Sequence, residues 1–333
     1  MIIEDAEVAQ RIHGPALHPF RKEVVRLLGE PPRFMVRKRT LSPEAPLRRH
    51  PVLLLHGFGQ NRRAWHLSGR SFANHLAAEG FDVFNTELRG HGRSRRAGAP
   101  PPRSLDESVD VDLPAALDTV AALSGHARVF LVGHSLGGLI SYAVAAARPS
   151  RVAGVVTLGA PYRFGAGNPT LALARRAMVS AAAVVGAHRP FPMALVRAGF
   201  RGTAPAWDLP WLPLPLRAWA PGAFEPSLRD EYLREAFDVG TLGQLAHVAA
   251  RAREFERAWS LCEVPALVIA GEHDLLAPPA SVHPAFVEGL GRHRTWATLP
   301  FGHGDLILGR DAPAQVWPLV TRWLIARDGE TPG

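Results

Sequence analysis

A short apolar segment that stops at a glycine, with a serine and a helix after it, constrains the fold of this chain most strongly. Residues 129–134 read Val-Phe-Leu-Val-Gly-His, which is typical of a buried strand, and Ser135 follows directly. Residues 139–148 favour a helix that Pro149 ends. The G-x-S-x-G pattern at the join predicts a sharp turn between strand and helix, with the serine hydroxyl projecting above the sheet.

The glycines around Ser135 explain why this spacing is informative. Gly133 and Gly137 stand two residues before and two residues after the serine. Because the backbone at these positions approaches itself closely in such a turn, a Cβ atom at either one would clash. Gly138 then allows the helix to lie close to the strand. The spacing therefore indicates a serine that strained backbone presents for nucleophilic chemistry.

Apolar segments and helix-forming segments alternate along most of the chain. Such alternation predicts an α/β fold with a mostly parallel, doubly wound sheet that helices cover on both faces. The 333 residues, 47% of them apolar, are enough for a large buried core. Buried strands are expected at residues 51–55, 81–84, 129–134, 151–158, 264–271 and 294–299.

The alternation is interrupted once, which predicts the domain organisation. Residues 162–258 contain helical segments and Pro-rich loops with no strand signal. We expect them to form a helical, Pro- and Trp-rich cap inserted into a core made of residues 1–161 and 259–333. The cap would lie above the carboxyl ends of the strands, where ligands bind in such sheets. Residues 1–32 are predicted to be an N-terminal helical extension, with an amphipathic helix over 18–28.

A nucleophilic serine needs a base, and the base needs an acid that orients it. The expected chain order is serine, then an acid after a later strand, then a histidine near the end. Asp274 and His303 each follow a predicted strand, so they would lie beside Ser135 at the carboxyl edge of the sheet. Glu272 and Asp305 are rival acids, but the first lies nearer its strand and the second only two residues past the histidine.

The tetrahedral intermediate of acyl transfer needs two N–H donors for its oxyanion. The amide of Leu136 is one candidate, because it begins a helix whose dipole favours negative charge at that end. The amide of Phe58 is the other, in the His-Gly-Phe-Gly loop after an early strand. The alternative for this loop is an ordinary glycine turn.

Five motifs resemble the α/β-hydrolase family with a helical cap, over about residues 50–160 and 260–325. They are Leu55-His-Gly-Phe-Gly, Arg89-Gly-His-Gly-Arg-Ser, Gly133-His-Ser-Leu-Gly-Gly, Gly271-Glu-His-Asp and Gly302-His-Gly-Asp.

The resemblance implies a role for each candidate residue. Ser135 would be the nucleophile, His303 the base and Asp274 the orienting acid, with the oxyanion hole at Phe58 and Leu136. It also implies that no cofactor and no metal take part.

Relatives within that family narrow the chemistry. The segment after Gly302 is similar to acid-lipase-like and polyhydroxyalkanoate-synthase-like members. The synthases carry a cysteine where this chain has Ser135, and epoxide hydrolases and haloalkane dehalogenases carry an aspartate there. Hydrolysis through a serine is therefore favoured over polymerisation and over those two chemistries.

The predicted cap carries the only hints about the substrate. Residues 207–219 are rich in Trp, Leu and Pro, so they either line an acyl tunnel, touch lipid or pack on the core. His134, Tyr162, Trp207 and Trp211 are the candidate substrate-binding residues. No charged cluster in the cap indicates a charged substrate, which favours an ester of an apolar acyl group.

The net charge of +8 would also fit a nucleic-acid or anionic-membrane partner. We discount both, because nearly all the cations are arginines spread along the chain. The tightest groups, at 33–39 and 93–96, are explained by solvated faces. No apolar run approaches the roughly 18 residues of a spanning helix. We expect a small-molecule ester as partner, with lipid-like esters among the candidates, no nucleic acid and no stable membrane insertion.

The cysteine count, the first residues and the composition of the chain bear on where in the cell the protein is expected. One cysteine, Cys262, excludes an internal disulfide and fits a reducing compartment. The start of the chain lacks a basic-then-apolar signal pattern. A cytoplasmic protein is expected, and the Arg-, Ala-, Gly- and Pro-rich composition favours a bacterial one. Oligomeric state is left open.

The function predicted from the sequence is a serine hydrolase that cleaves a carboxylic ester through an acyl-enzyme on Ser135. A thioesterase, an amidase, a C–C bond hydrolase or a cofactor-free perhydrolase would use the same triad. A non-catalytic ligand-binding protein on the same fold is the second alternative. Such proteins usually lack a member of the triad, and none is lacking here.

Overall fold

The computed structural model describes residues 1–186, 189–191, 193–212, 214 and 216–329. Its centre is a nine-stranded sheet, and a two-stranded pairing lies apart from it. The strands are β1 (Ile2–Arg11), β2 (Leu17–Arg26), β3 (Phe34–Thr40), β4 (Val52–Leu55), β5 (Val83–Glu87), β6 (Val129–His134), β7 (Val152–Leu158), β8 (Pro190–Phe191), β9 (Gly240–Thr241), β10 (Ala266–Gly271) and β11 (Arg294–Leu299).

The strand order in the large sheet is β1-β2-β3-β5-β4-β6-β7-β10-β11. From β5 onward the neighbours run parallel, while β1, β2 and β3 join antiparallel at one edge. The predicted mostly parallel sheet is confirmed.

The α-helices of the described chain are α1 (Phe72–Ala78), α2 (Gly92–Arg96), α3 (Leu113–Ser124), α4 (Leu136–Ala147), α5 (Pro169–Val185), α6 (Met193–Trp207), α7 (Pro226–Glu235), α8 (Leu242–Ala250), α9 (Ala252–Ser260), α10 (Pro279–Glu288), α11 (Asp305–Leu308) and α12 (Ala312–Arg327).

Strand β4 shows how the core lies on both faces of the sheet. Val52 and Leu54 pack into one apolar cluster, and Leu53 and Leu55 pack into another. Because successive side chains of a strand point to opposite faces, these clusters lie on opposite sides. The uninterrupted apolar sequence of this strand is therefore explained by burial on both faces.

The predicted helical extension over residues 1–32 is wrong. This region forms β1 and β2, an antiparallel hairpin that pairs with β3. Phe20 and Val24 stand four residues apart and are buried on one face of β2. Residues four apart share a face in a strand as well as in a helix, so this spacing does not separate the two. The adjacent Val24 and Val25 favour the strand.

The predicted absence of strands from residues 162–258 needs one correction. Besides α5 to α9, this insertion contains β8 and β9, which pair over two residues each. Two residues are too few for any periodicity to reveal. Of the Trp/Leu/Pro-rich segment at 207–219, residues 213 and 215 lie outside the described part of the chain. Its other residues after Trp207, where α6 ends, contain no helix.

The cations at 33–39 are less solvated than the sequence suggested. Arg33, Arg37 and Lys38 expose 2%, 7% and 4% of their surface. Arg33 and Arg89 both donate to the buried carboxylate of Asp112, at 3.1 and 2.8 Å. Burial of a charge is tolerated when such a partner is present, which a count of charges along the chain cannot show. In the described residues, no helix has both the length and the apolar character needed to span a membrane.

Candidate active site

Ser135 occupies the turn between β6 and α4. Its φ of 53° and ψ of −121° make it the one non-glycine residue with positive φ in the described chain. Its N–H donates to the Leu158 carbonyl at 3.0 Å, and its carbonyl accepts from Gly138 at 3.0 Å. Positive φ is costly for a residue with a Cβ atom, so these flanking contacts hold the serine in a strained conformation.

The glycines of this turn lie where the backbone comes too close for a side chain. A Cβ atom on Gly133 would lie 2.4 Å from the Gly137 carbonyl oxygen, and one on Gly137 would lie 2.2 Å from the Leu55 carbonyl oxygen. A Cβ atom on Gly138 would lie 2.5 Å from that of Ala160. The predicted close approach of the turn to itself is confirmed at Gly133. At Gly137 the close neighbour is instead the end of β4, and at Gly138 it is the side chain of Ala160, just after β7.

Asp274 and His303 come together on the loops after β10 and β11. His303 Nδ1 lies 2.7 Å from Asp274 Oδ2. The other oxygen of this carboxylate accepts from the amides of Leu276 and Ala277, at 2.8 and 2.7 Å. Asp274 is 1% exposed. The carboxylate is thus fixed by its own loop and can orient the imidazole through Nδ1.

The two rival acids lie elsewhere. Glu272 is exposed. Asp305 is buried and accepts from the amides of Gly302 at 2.8 Å and Ala220 at 3.3 Å, so it joins the loop of His303 to the insertion. Burial, together with the nearby charge of Asp274, raises the pKa of the Asp305 carboxyl to about 7.

His303 lies against the strand that ends at the serine. Its ring centroid is 4.5 Å from that of His134, whose Nε2 lies 3.0 Å from the His303 carbonyl oxygen. Burial lowers the pKa of His134 well below its usual range, so this imidazole stays neutral and donates from Nε2.

Gly159 is a residue of the site that the sequence analysis missed. It directly follows β7 and has a φ of +54°, and a Cβ atom there would lie 2.9 Å from Asp274 Oδ2 and 3.2 Å from His303 Nδ1. Only a glycine leaves room for the Asp–His pair against this strand end. A glycine directly after a predicted buried strand was the available signal.

The loop after β4 carries the candidate oxyanion amide of Phe58. A Cβ atom on Gly57 would lie 3.1 Å from that of Ser135, so this loop contacts the serine. Gln60, also missed in the sequence, closes the loop because its Oε1 accepts from the Gly57 amide at 3.0 Å. The other candidate, Leu136, is the first residue of α4, where an amide has no acceptor within the helix.

The insertion covers this loop. The rings of Phe58 and Phe191 meet edge to face at 5.6 Å, and a Cβ atom on Gly240 would lie 2.3 Å from the Phe58 ring. Gln60 Nε2 donates to the Tyr232 hydroxyl at 2.5 Å. The β8–β9 pairing and α7 therefore contact the backbone that carries one candidate oxyanion donor.

Tyr162 lines a cavity of about 380 Å³ between α4 and the insertion. Its hydroxyl donates to Glu288 at 2.9 Å, and its ring meets that of Tyr142 at 5.9 Å. Leu139, one helical turn after Ser135, is also in the wall. The larger apolar and aromatic side chains of the lining are those of Leu139, Tyr142, Tyr162, Phe164, Val248 and Phe255, and alanines such as Ala249 complete the wall.

The two tryptophans predicted to bind substrate have different surroundings. Trp207 is 4% exposed and packs on Trp219 and Phe200, with ring centroids 4.5 and 4.7 Å away. Trp211 exposes 73% of its surface. A role for either residue in substrate binding stays a prediction.

Comparison with known proteins gives a family match over most of the chain. The model of the alpha/beta hydrolase fold matches residues 50–309. Lipase LipV of Mycobacterium tuberculosis is 38% identical over 117 residues, which are 35% of this chain and 38% of that protein. A pimeloyl-[acyl-carrier protein] methyl ester esterase of Sodalis glossinidius is 35% identical over 113 residues, 34% of this chain and 37% of that protein. The chain thus matches less than two fifths of these relatives' length.

Solved structures extend the likeness of fold over nearly the whole chain. The monoacylglycerol lipase of Paleococcus ferrophilus superposes with a TM-score of 0.65 at 18% identity, covering 89% of this chain and 99% of that one. A thermophilic esterase of Thermogutta terrifontis gives 0.61 at 18% identity, with coverage of 92% and 99%. At such identities the likeness concerns the fold alone.

Proposed function

This chain belongs to the α/β-hydrolase fold family, and on that premise we propose that it is a serine hydrolase that cleaves a carboxylic ester through an acyl-enzyme on Ser135. Relatives named as lipase and esterase support ester hydrolysis at the level of the family. The observations that carry the proposal are the strained turn of Ser135 and the Asp274–His303 pair, whose imidazole packs against His134, the residue before the serine. The deciding experiment compares ester hydrolysis by the wild type with that of the Ser135→Ala variant.

The first half of the proposed reaction forms the acyl-enzyme. His303 takes the hydroxyl proton of Ser135 as the oxygen attacks the acyl carbon. Asp274 keeps the proton on Nδ1 of the imidazole and stabilises its positive charge. The amides of Phe58 and Leu136 donate to the oxyanion, which gathers more charge in the transition state than the ester carbonyl has in the ground state. His303 then protonates the departing alcohol.

The second half releases the acid. His303 removes a proton from a water molecule that attacks the acyl carbon of the ester on Ser135. The same two amides hold the oxyanion, and the serine leaves with the proton from the imidazole. No step needs a group from outside the chain other than water.

Replacing Asp274 by asparagine should reduce kcat by about 10⁴-fold, because the amide favours the wrong tautomer of His303. The measurement is the steady-state hydrolysis of a p-nitrophenyl ester at pH 7.5. Asp305→Asn is the matched control, since this carboxyl accepts from the backbone amides of Gly302 and Ala220 rather than from the imidazole of His303. Its kcat should fall by less than about tenfold. Equal losses in the two variants would contradict the assignment of Asp274.

We propose that residues 162–258 act as a cap and that the cavity of about 380 Å³ beneath them receives the apolar acyl chain. The support is its place, since Leu139 in its wall lies one turn along α4 from Ser135. Tyr162 and Phe255 supply aromatic surface there. A mostly apolar site with a few polar groups is the usual form of a binding site for a small apolar molecule.

Filling this cavity should shorten the preferred acyl chain. Ala249 is in the wall and half-buried, so Ala249→Phe would place a ring inside. We expect kcat/KM for long-chain p-nitrophenyl esters to fall by about tenfold or more, and that for the acetate to change by less than threefold. The neighbouring Ala250 is exposed and outside the cavity, so Ala250→Phe is the control with the same helix propensity. An unchanged chain-length profile in Ala249→Phe would place the acyl group elsewhere.

A further inference from the structure

Two lysines stand directly opposite each other in the antiparallel edge of the sheet. Lys22 on β2 pairs with Lys38 on β3. Side chains of directly paired residues project from the same face at close range, and like charges in such a pair destabilise a sheet. Lys38 is 4% exposed, so water screens this repulsion poorly.

On the other face of the same two strands Arg21 is also opposite Arg39, but carboxylates bond both cations: Asp5 accepts from Arg21 at 3.0 Å, and Glu23 accepts from Arg39 at 3.2 Å. Glu23, one residue after Lys22, pairs with Arg37, and their side chains bond at 3.1 Å. Arg37 also bonds Asp82 at 2.7 Å. In the described residues, what distinguishes the pair of Lys22 and Lys38 is that no carboxylate bonds either ammonium, whereas the arginines of the opposite face have carboxylate partners.

That face forms the floor of a polar cavity of about 130 Å³. Its roof is the short 3₁₀ helix Arg62–Trp65 with the residues after it. No acidic residue of the described chain is in the lining, which consists of Gln10, Lys22, Val36, Lys38, Arg62, Arg63, His66, Ala73, Val83 and Asn85.

The arginines and the histidine of this lining do not add unpaired positive charge, so the two lysines are its main source of positive charge; the carboxylate whose charge acts on Lys22, that of Glu4, is paired with Arg93. Arg62 pairs with Glu87 at 3.0 Å, and Arg63 pairs with Glu235 at 2.9 Å. Burial lowers the pKa of His66 well below its usual range, so this imidazole is neutral at pH 7.

The partners of Lys38 are neutral. Its Nζ donates to the amide oxygens of Gln10 and Asn74, at 2.6 and 2.5 Å. Burial, followed by the charges of Arg62, Lys22 and Arg63, lowers the pKa of this ammonium well below its usual range. A buried ammonium without a counter-charge is unfavourable, and an anion in the cavity would remove the cost.

We propose that this cavity binds a small divalent oxyanion, inorganic phosphate or sulfate or the phosphoryl end of an organic phosphate, with Lys22 and Lys38 as its counter-charges. A bound anion would favour the ammonium form of Lys38, so that the two lysines together balance two negative charges. Arg62, Arg63 and His66 supply further N–H donors around the same space. The cavity has room for one tetrahedral anion, since one water needs only about 10–15 Å³ of such volume. Half-exposed Lys22 leaves a route of entry from solvent.

The test is isothermal titration of the full chain at pH 7.5 with sulfate, phosphate, glycerol phosphate or chloride at matched ionic strength. We expect saturable binding of one sulfate or phosphate per chain and none of chloride. Saturating phosphate should also raise the melting temperature by about 4 °C at 100 times the Kd. If glycerol phosphate also binds, the ligand is an organic phosphate. If the cavity binds inorganic phosphate or sulfate but not glycerol phosphate, the ligand is the free anion.

Two variants separate a specific site from the general stabilisation that these salts give to folded proteins. Lys22→Gln and Lys38→Met should each weaken sulfate binding by tenfold or more, and Lys38→Met should melt higher than the wild type without anion. Arg26→Gln, on the same strand but 41% exposed and paired with Glu30, should bind within twofold of the wild type. If Lys38→Met does not fold, the half-exposed Lys22 variant and the wild-type titration decide. Absence of saturable binding, or equal binding in Lys22→Gln, overturns the proposal.

Discussion

Replacing Ser135 by alanine is expected to abolish ester hydrolysis and to leave the protein folded. The variant keeps the Cβ atom and the backbone contacts to Leu158 and Gly138 that hold the turn. It removes the one oxygen that the proposed mechanism uses to form the acyl-enzyme. Losses of roughly 10⁴- to 10⁶-fold in kcat are usual when the nucleophile of such a triad is removed.

The measurement is hydrolysis of p-nitrophenyl esters from acetate to palmitate, beside labelling by a fluorophosphonate. The wild type should turn over and become labelled, and Ser135→Ala should do neither. Ser141→Ala is the matched control, because this serine lies in α4, directly after the turn of Ser135, and its hydroxyl donates to the Gly137 carbonyl at 2.8 Å. Turnover above a trace in Ser135→Ala would refute the assignment of the nucleophile.

The same experiment distinguishes the alternative functions. A wild type that is labelled but cleaves no ester would direct the search to thioesters, amides and C–C bonds, because labelling requires the activated serine alone. A wild type that is neither labelled nor active would favour the non-catalytic ligand-binding protein. A rate that peaks with long acyl chains would support the cavity beneath the proposed cap as the acyl site, and a peak at acetate would leave that cavity without this role.

The positions of the candidate site residues in the fold could be predicted from the sequence because these residues lie in order at strand ends. Ser135, Asp274 and His303 each follow an apolar segment, and parallel strands bring their carboxyl ends to one edge. The spacing of Gly133 and Gly137 is local, so it is visible without the fold. For the three candidate catalytic residues and the two glycines alike, the residues next to them in the sequence determine where they lie in the fold.

The contacts that depend on residues distant in the chain could not be predicted. Gln60 reaches Tyr232 across 172 positions, and the partner of Phe58 is Phe191. The opposition of Lys22 and Lys38 exists only in the strand pairing of β2 and β3, which a helical interpretation of residues 18–28 hid. Periodicity identifies an element by its own pattern, whereas register is decided by the partner strand.

Replacing Gly133 by alanine should cost both stability and activity. The added Cβ atom would lie 2.4 Å from the carbonyl oxygen of Gly137 and 2.6 Å from the amide nitrogen of Gly138. Both are backbone atoms, so relief requires β6 and α4 to move apart rather than a side chain to rotate. We expect the free energy of unfolding to fall by about 3 kcal/mol, at the upper end of overpacking effects. Because a displacement of about 1 Å at reacting groups costs about 10²-fold, kcat/KM should fall by at least that factor.

Urea unfolding and ester hydrolysis measured on the same preparation test this expectation, and a second glycine supplies the control. A Cβ atom on Gly199, inside α6, would meet no atom within 4 Å, so Gly199→Ala should be neutral or stabilise by up to about 1 kcal/mol. The contrast with Ser135→Ala is also diagnostic, since that variant should lose activity while its unfolding midpoint stays near the wild-type value. If Gly133→Ala unfolds at the wild-type urea concentration with full activity, the strand and the helix do not approach as closely as the proposed nucleophile turn requires.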